Sequence, residues 1–276
     1  MWKQKLKIIY PGGGAPKNFD SIPFVNVDTS TVAGLSRGQQ LGVARSGMAD
    51  VIVTPLIYEA DSLFSLNKGR LFAIFRHPID RATDMFYYTK MAHWESTYSP
   101  EIGAMSISQY ANSHLVQNNW MTRQLSGILD GELTQAHLQA ALEVLRTRIL
   151  VGLYTEMDAS LNRFEQYFGW TYRIDPQNQE GCRTRFVRRG IVHPQRRRKE
   201  LDEDTEAFAA IYWQNQMDLE IYDYAVMLFR EQDEFVVGIP DDARNVDATC
   251  CRCDVSKVEI TLLFFTSAMN DLSLCI

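Results

Sequence analysis

No stretch of this chain approaches the roughly 20 consecutive apolar residues that a membrane-crossing helix needs. The most apolar run lies near Ile260–Phe265, and Met1–Lys7 leads into no apolar stretch of signal-peptide length. Cysteine is sparse: of five, four lie beyond position 249 and Cys182 stands alone, so no disulfide framework spans the body of the chain. The Cys250-Cys251-Arg252-Cys253 cluster has no neighbouring His and no second Cys pair at ligand spacing, so no metal is expected. Positive charge is also short. A net charge of −6 and a pI near 5.4 argue against general nucleic-acid binding, which needs a concentrated excess of Lys and Arg. A Walker-type Gly-x-x-x-x-Gly-Lys-[Ser/Thr] is missing, which sets aside a nucleotide kinase or P-loop NTPase.

What is present is enough apolar material, 46% of 276 residues, for one sizeable core. Four short apolar runs read as buried strands: Phe24–Val27, Val51–Val53, Leu71–Phe75 and Ile149–Leu153. Helical patterns separate them. Thr29-Ser30-Thr31 supplies N-cap chemistry for a helix reaching about Arg45, with Gly47 as its stop. Leu138, Ala141, Leu142 and Leu145 share a helical face before the strand at Ile149, and Met157, Leu161, Phe164 and Phe168 form another stripe, closed by Gly169. A long stripe from Phe208 to Phe229 predicts one more helix. This βα alternation predicts an α/β fold with a central, mostly parallel sheet. The main domain is expected over 1–240, with 241–276 as an irregular tail.

The chemistry-bearing segment is Gly69–Tyr88. An apolar strand ends at Arg76, and Pro78 sits where a helix starts, since its missing N–H costs nothing in a first turn. Such a junction favours anions: free N–H groups and the positive end of the helix dipole point at it, and Arg76 adds a bidentate charge.

Arg76-x-Pro78-x-x-Arg81 at a strand end, followed by Phe86-Tyr87-Tyr88, resembles the 3′-phosphate-binding element of sulfotransferases, especially those acting on carbohydrates. Asn118–Gly127 resembles the same family's Asn-x-Met-x-Arg-x-Leu-x-Gly stretch, and Leu150-Val151-Gly152-Leu153 with Arg163-Phe164-Glu165 resembles its later strand and helix. The likeness covers roughly residues 24 to 235.

The resemblance implies a three-layer, P-loop-like α/β fold. It also implies transfer of a sulfuryl group from 3′-phosphoadenosine 5′-phosphosulfate to a carbohydrate hydroxyl, and a Golgi setting. On it, Arg76, Arg81, Thr83 and Asp84 fall at the donor's 3′-phosphate, and His193 and Arg197 lie in the basic run Arg188–Arg198, where the family has a loop over the nucleotide. Arg123 faces the acceptor, and Glu59 is the candidate base.

Two departures accompany the match. The family's opening strand and Pro-Lys-x-Gly-[Ser/Thr]-Thr phosphate loop are not found, and Leu6–Lys17, the nearest Gly-rich feature, lacks the Lys-[Ser/Thr] ending. The expectation is therefore an incomplete start or a degenerate member. Asp84 stands where the family has a 3′-phosphate Ser, and a carboxylate there repels phosphate; neighbouring Thr83 keeps a hydroxyl. The alternative reading is a catalytically inactive homologue that binds an anionic glycan or a protein partner.

Overall fold

The computed structural model describes residues 5–9, 24–49, 51–64, 69–90, 92–93, 98–168, 201–203, 205–233 and, as backbone, 259–263. The predicted basic run, with His193 and Arg197, lies outside them.

The protein is mixed α/β with a small parallel sheet. Two strands, β1 (Ile8–Ile9) and β2 (Phe24–Val25), pair antiparallel apart from that sheet. This corrects the expectation for the first apolar run, which joins the main sheet nowhere; Phe24 is exposed, as suits a short two-stranded ribbon. Helix α1 (Val32–Leu41) starts where expected: Thr31 Oγ1 accepts from Gly34 N at 3.1 Å. It stops earlier than predicted, at Gly42 (φ 70°), because a left-handed residue ends the helix and Val43–Arg45 continues as a 3₁₀ turn.

There follow β3 (Val51–Val53), α2 (Ile57–Asp61), β4 (Leu71–Phe75) and α3 (Pro78–Thr89). Next come α4 (Pro100–Ala104), α5 (Ile107–Ala111), α6 (Trp120–Ser126), α7 (Gln135–Arg148), β5 (Ile149–Leu153) and α8 (Met157–Phe168). Beyond residue 200 lie α9 (Glu206–Gln214), α10 (Gln216–Glu231) and β6 (Glu259–Leu263).

The sheet order is β3-β6-β4-β5, all parallel, with Leu71 opposite Ile149 and Phe75 opposite Leu153. Every residue of β4 and β5 is buried, which is why both read as unbroken apolar runs and not as alternations. Their side chains divide by parity. Leu71, Ala73, Phe75, Ile149, Val151 and Leu153 pack with residues of α6, α7 and α10, while Phe72, Ile74 and Leu150 pack with Met157, Leu161 and Phe164 of α8.

Two predictions fail for identifiable reasons. The stretch 241–276, expected as an irregular tail, contains a strand: β6 lies between β3 and β4, with Ile260 opposite both Ile52 and Leu71, and Ile260-Thr261-Leu262-Leu263 has the apolar and β-branched composition of an inner strand. The single helix expected over Phe208–Phe229 breaks at Asn215 (φ −122°, ψ 27°), whose buried side chain bonds elsewhere.

Among the described residues β5 is the edge of the sheet, and side chains cover it. Gln232 Nε2 donates to Ile149 O at 2.9 Å while its Oε1 accepts from Val151 N at 2.7 Å, so one amide imitates a neighbouring strand. Arg163 Nη1 donates to Val151 O at 2.9 Å, and Ser160 Oγ accepts from Leu153 N at 2.8 Å. Arg163 is anchored by the Asp233 carboxylate and lies 3.7 Å from the Phe229 ring centroid. An edge closed this way offers no template for further pairing.

Gln232→Ala strands a buried N–H and a buried carbonyl. A loss of about 1–3 kcal/mol in unfolding free energy is expected by denaturant titration, with Arg146→Ala on the exposed face of α7 changing it by less than about 0.5 kcal/mol.

Candidate functional site

The C-terminal ends of β4 and β5 deliver two side chains to one place. Arg76 directly follows β4 and Tyr154 directly follows β5, and the guanidinium carbon lies 4.5 Å from the tyrosine ring centroid. His77 is the N-cap of α3, with Pro78 in the first turn; its ring meets Tyr222 of α10 edge-on at 5.3 Å. Burial pushes the Tyr222 phenol up, against a hydrogen bond to the Thr155 side chain. The strand end, the helix start and an aromatic wall thus converge, as ligand sites of parallel α/β sheets do.

The charge at this junction is already satisfied. Arg76 Nη1 forms an ion pair with the Asp84 carboxylate, two turns into α3, with side-chain exposures of 21% and 16%. Arg76 Nε and Thr83 Oγ1 are buried and have no hydrogen-bond partner among the described residues. Of the residues the resemblance gathers at a 3′-phosphate, Arg76 and Asp84 therefore meet, and the carboxylate holds the cation; Thr83 is the neighbour of Asp84 on α3. A phosphate does not fit beside Arg76 in this arrangement, since it meets Asp84 as a like charge.

Arg81 is elsewhere in function if not in sequence. It is 2% exposed, donates to Gln117 O at 3.0 Å and to Gln117 Oε1 at 3.4 Å, and stacks 5.0 Å from the Trp120 ring. Burial pulls its guanidinium down, and the nearby Asp218 charge pulls it back up. It serves the interior and not an open cleft.

That interior holds a feature the sequence did not reveal. Asn119, in a left-handed conformation (φ 43°), turns its Oδ1 to accept from Met217 N at 3.0 Å and Asp218 N at 3.2 Å, capping α10. In exchange the Asp218 carboxylate accepts from Met121 N at 2.9 Å and from Thr122 N and Oγ1 at 2.8 Å, capping α6. Asn215 Oδ1 accepts from Asn119 N at 3.0 Å and locks the two turns together. Two helices nearly a hundred residues apart in sequence thus cap each other. Burial pushes the Asp218 carboxyl up, and Arg81 is the largest force opposing it. A sequence signal existed only for one half, the Asn118-Asn119-Trp120-Met121-Thr122 motif.

Arg123, assigned by resemblance to the acceptor, is spent on its own chain. It donates to Asn118 O, Asn118 Oδ1, Ile128 O and Gly131 O at 2.8–3.3 Å, fixing the turn after α6. Glu59 sits on α2, beyond the C-terminal end of β3 and packed toward α6, with Oε2 buried and unpartnered. Among the described residues no cluster of His, Cys, Asp and Glu suits a metal, and no helix is long and apolar enough to cross a membrane.

Asp218→Ala removes the buried cap of α6 and the carboxylate whose charge offsets the burial of Arg81. A loss of about 3–5 kcal/mol is expected by urea unfolding, larger than for Asn119→Ala, which removes neutral bonds only. No family model matches the chain, and no curated protein or solved structure is significantly similar to it.

Proposed function

We propose that this chain is a sulfotransferase-type domain of three-layer, P-loop-like α/β architecture in which Asp84 occupies the position of the donor's 3′-phosphate. The carrying observation is the ion pair between Arg76 at the end of β4 and Asp84 on α3. The frame supports the family reading: an Arg at the C-terminal end of a buried parallel strand, a Pro-initiated helix beside it, and an aromatic side chain from the adjacent strand end. The charge supports the inactive variant of that reading. As folded, the domain holds 3′-phosphoadenosine 5′-phosphosulfate poorly and acts through binding an anionic glycan or a protein partner.

A second reading is an active enzyme that moves the sulfuryl group to a carbohydrate hydroxyl. One observation favours it. Arg76 Nε and Thr83 Oγ1 are each buried donors without a partner among the described residues, as donors awaiting an oxyanion would be. The acceptor hydroxyl would then need a base, for which Glu59 is the candidate, and the donor would need Asp84 to swing away from Arg76.

Calorimetry with 3′-phosphoadenosine 5′-phosphate separates the two. No binding is expected for the unmodified chain up to millimolar ligand. Asp84→Ser, which restores a hydroxyl and frees the guanidinium, is expected to gain at least ten-fold in affinity, and adding Arg76→Ala is expected to abolish that gain. Micromolar binding by the unmodified chain, lost in Arg76→Ala, establishes the enzyme reading instead. Absence of binding in all three overturns the sulfotransferase assignment.

A further inference from the structure

Helix α9 is apolar on every side. Its residues Ala207-Phe208-Ala209-Ala210-Ile211-Tyr212-Trp213 carry no charge, and Glu206 in the first turn is its one ionised side chain. One side is accounted for by the core: Ala207 and Ile211 are buried with Ile79 and Ala82 of α3 and Ala111 of α5, and Phe208 and Ala210 pack beside them. The other side faces outward. Ala209 is exposed, Tyr212 is 37% exposed, and Trp213 is 72% exposed, more than any other large apolar side chain among the described residues. A helix that is apolar all round belongs in an interior, and an outward pair of aromatic residues on it marks a contact surface.

The outward residues are graded by size. Ala209 and Trp213 are one turn apart and so lie on one stripe of the helix. Tyr212 stands beside Trp213, meeting it edge-on at 5.7 Å, and is itself held by stacking on Phe208 at 6.2 Å and 15°. The C-terminal half of the face is therefore bulky and stiff, while the N-terminal half, Ala209 with Ala210 at its side, is flat. A two-fold axis perpendicular to the helix at the level of residue 211 turns that gradient into a fit. Two copies of α9 packed antiparallel place Trp213 of each on Ala209 of the other, and Tyr212 on Ala210, so that large meets small throughout. Parallel packing instead sets Trp213 against Trp213. Charge agrees with a self-contact. The formal net charge is −6, so two copies repel over most of their surface, and the central turns of α9 are a face where they do not. A charged partner finds nothing there to pair with.

We propose that the outward face of α9 is a two-fold interface through which two copies of this chain pair. A single helix of nine residues cannot by itself bury the roughly 1,200–2,000 Å² of a stable complex. The pairing is accordingly weak and reversible, with Trp213 and Tyr212 as its anchors. It does not depend on the reading given to the Arg76 junction.

Sedimentation velocity of the full chain from about 1 to 200 μM tests this. The expected result is a monomer at the low end that gives way to a dimer, and to nothing larger, at the high end. Trp213→Ala is expected to weaken dimerisation about ten-fold or more. Ala209→Trp separates a fitted interface from general stickiness. It adds exposed apolar surface, yet it is expected to weaken pairing to a similar degree, because it fills the space that receives Trp213. Both positions are exposed, so neither substitution disturbs the core, and near-ultraviolet circular dichroism verifies that each variant is folded. A chain that stays monomeric throughout, one that forms open-ended aggregates, or an Ala209→Trp variant that associates as well as or better than the unmodified chain overturns the proposal.

Discussion

A guanidinium at the end of a fully buried strand has to meet an anion, and here the anion belongs to the helix that follows. Arg76 leaves β4 beside the Tyr154 ring, α3 begins two residues later at Pro78, and the second turn of that helix returns Asp84 to Arg76. The same geometry that aims a strand-end arginine and a helix start at a common point would serve a phosphate if residue 84 were a hydroxyl. With a carboxylate, the junction is internally neutralised. Charge, not fold, decides what this site can hold, because both states use one backbone and differ by a single side chain.

The rest of the domain keeps that junction fixed. On one side of the sheet, α6 and α10 cap each other through Asn119, Asn215 and Asp218, and Arg81 of α3 is buried against the segment that leads into this joint. On the outer edge, Gln232, Arg163 and Ser160 satisfy the backbone of β5, which no further strand among the described residues reaches. Since α3 carries Arg81 against Gln117 and Asp84 to Arg76, the helix is held at two points one turn apart. Movement of Asp84 alone requires a rotamer change; movement of α3 would disturb the joint.

Much of this frame was legible in the sequence, and the exceptions share a cause. Leu71–Phe75 and Ile149–Leu153 stand out because strands buried on both faces are continuously apolar, and α7 and α8 because their apolar residues recur at helical spacing. Strand β6 was missed because its five residues follow a Cys-rich stretch with no βα alternation to mark it. The break at Asn215 was missed because the apolar stripe runs through it unchanged. The resemblance puts Arg81 and Arg123 at ligand positions, and residue type reveals a charge but not its partner: Arg81 donates to Gln117 and Arg123 to the turn after its own helix. Asp84 was legible as a misfit, and its pairing with Arg76 is the structural form that the misfit takes.

The central claim is that Asp84 stands in for a donor phosphate, and a crystal structure of the unmodified chain grown with excess 3′-phosphoadenosine 5′-phosphate tests it most directly. The account predicts Arg76 still paired with Asp84 and no nucleotide phosphate beside it. A 3′-phosphate within about 3 Å of the Arg76 guanidinium, with Asp84 turned away, would contradict it.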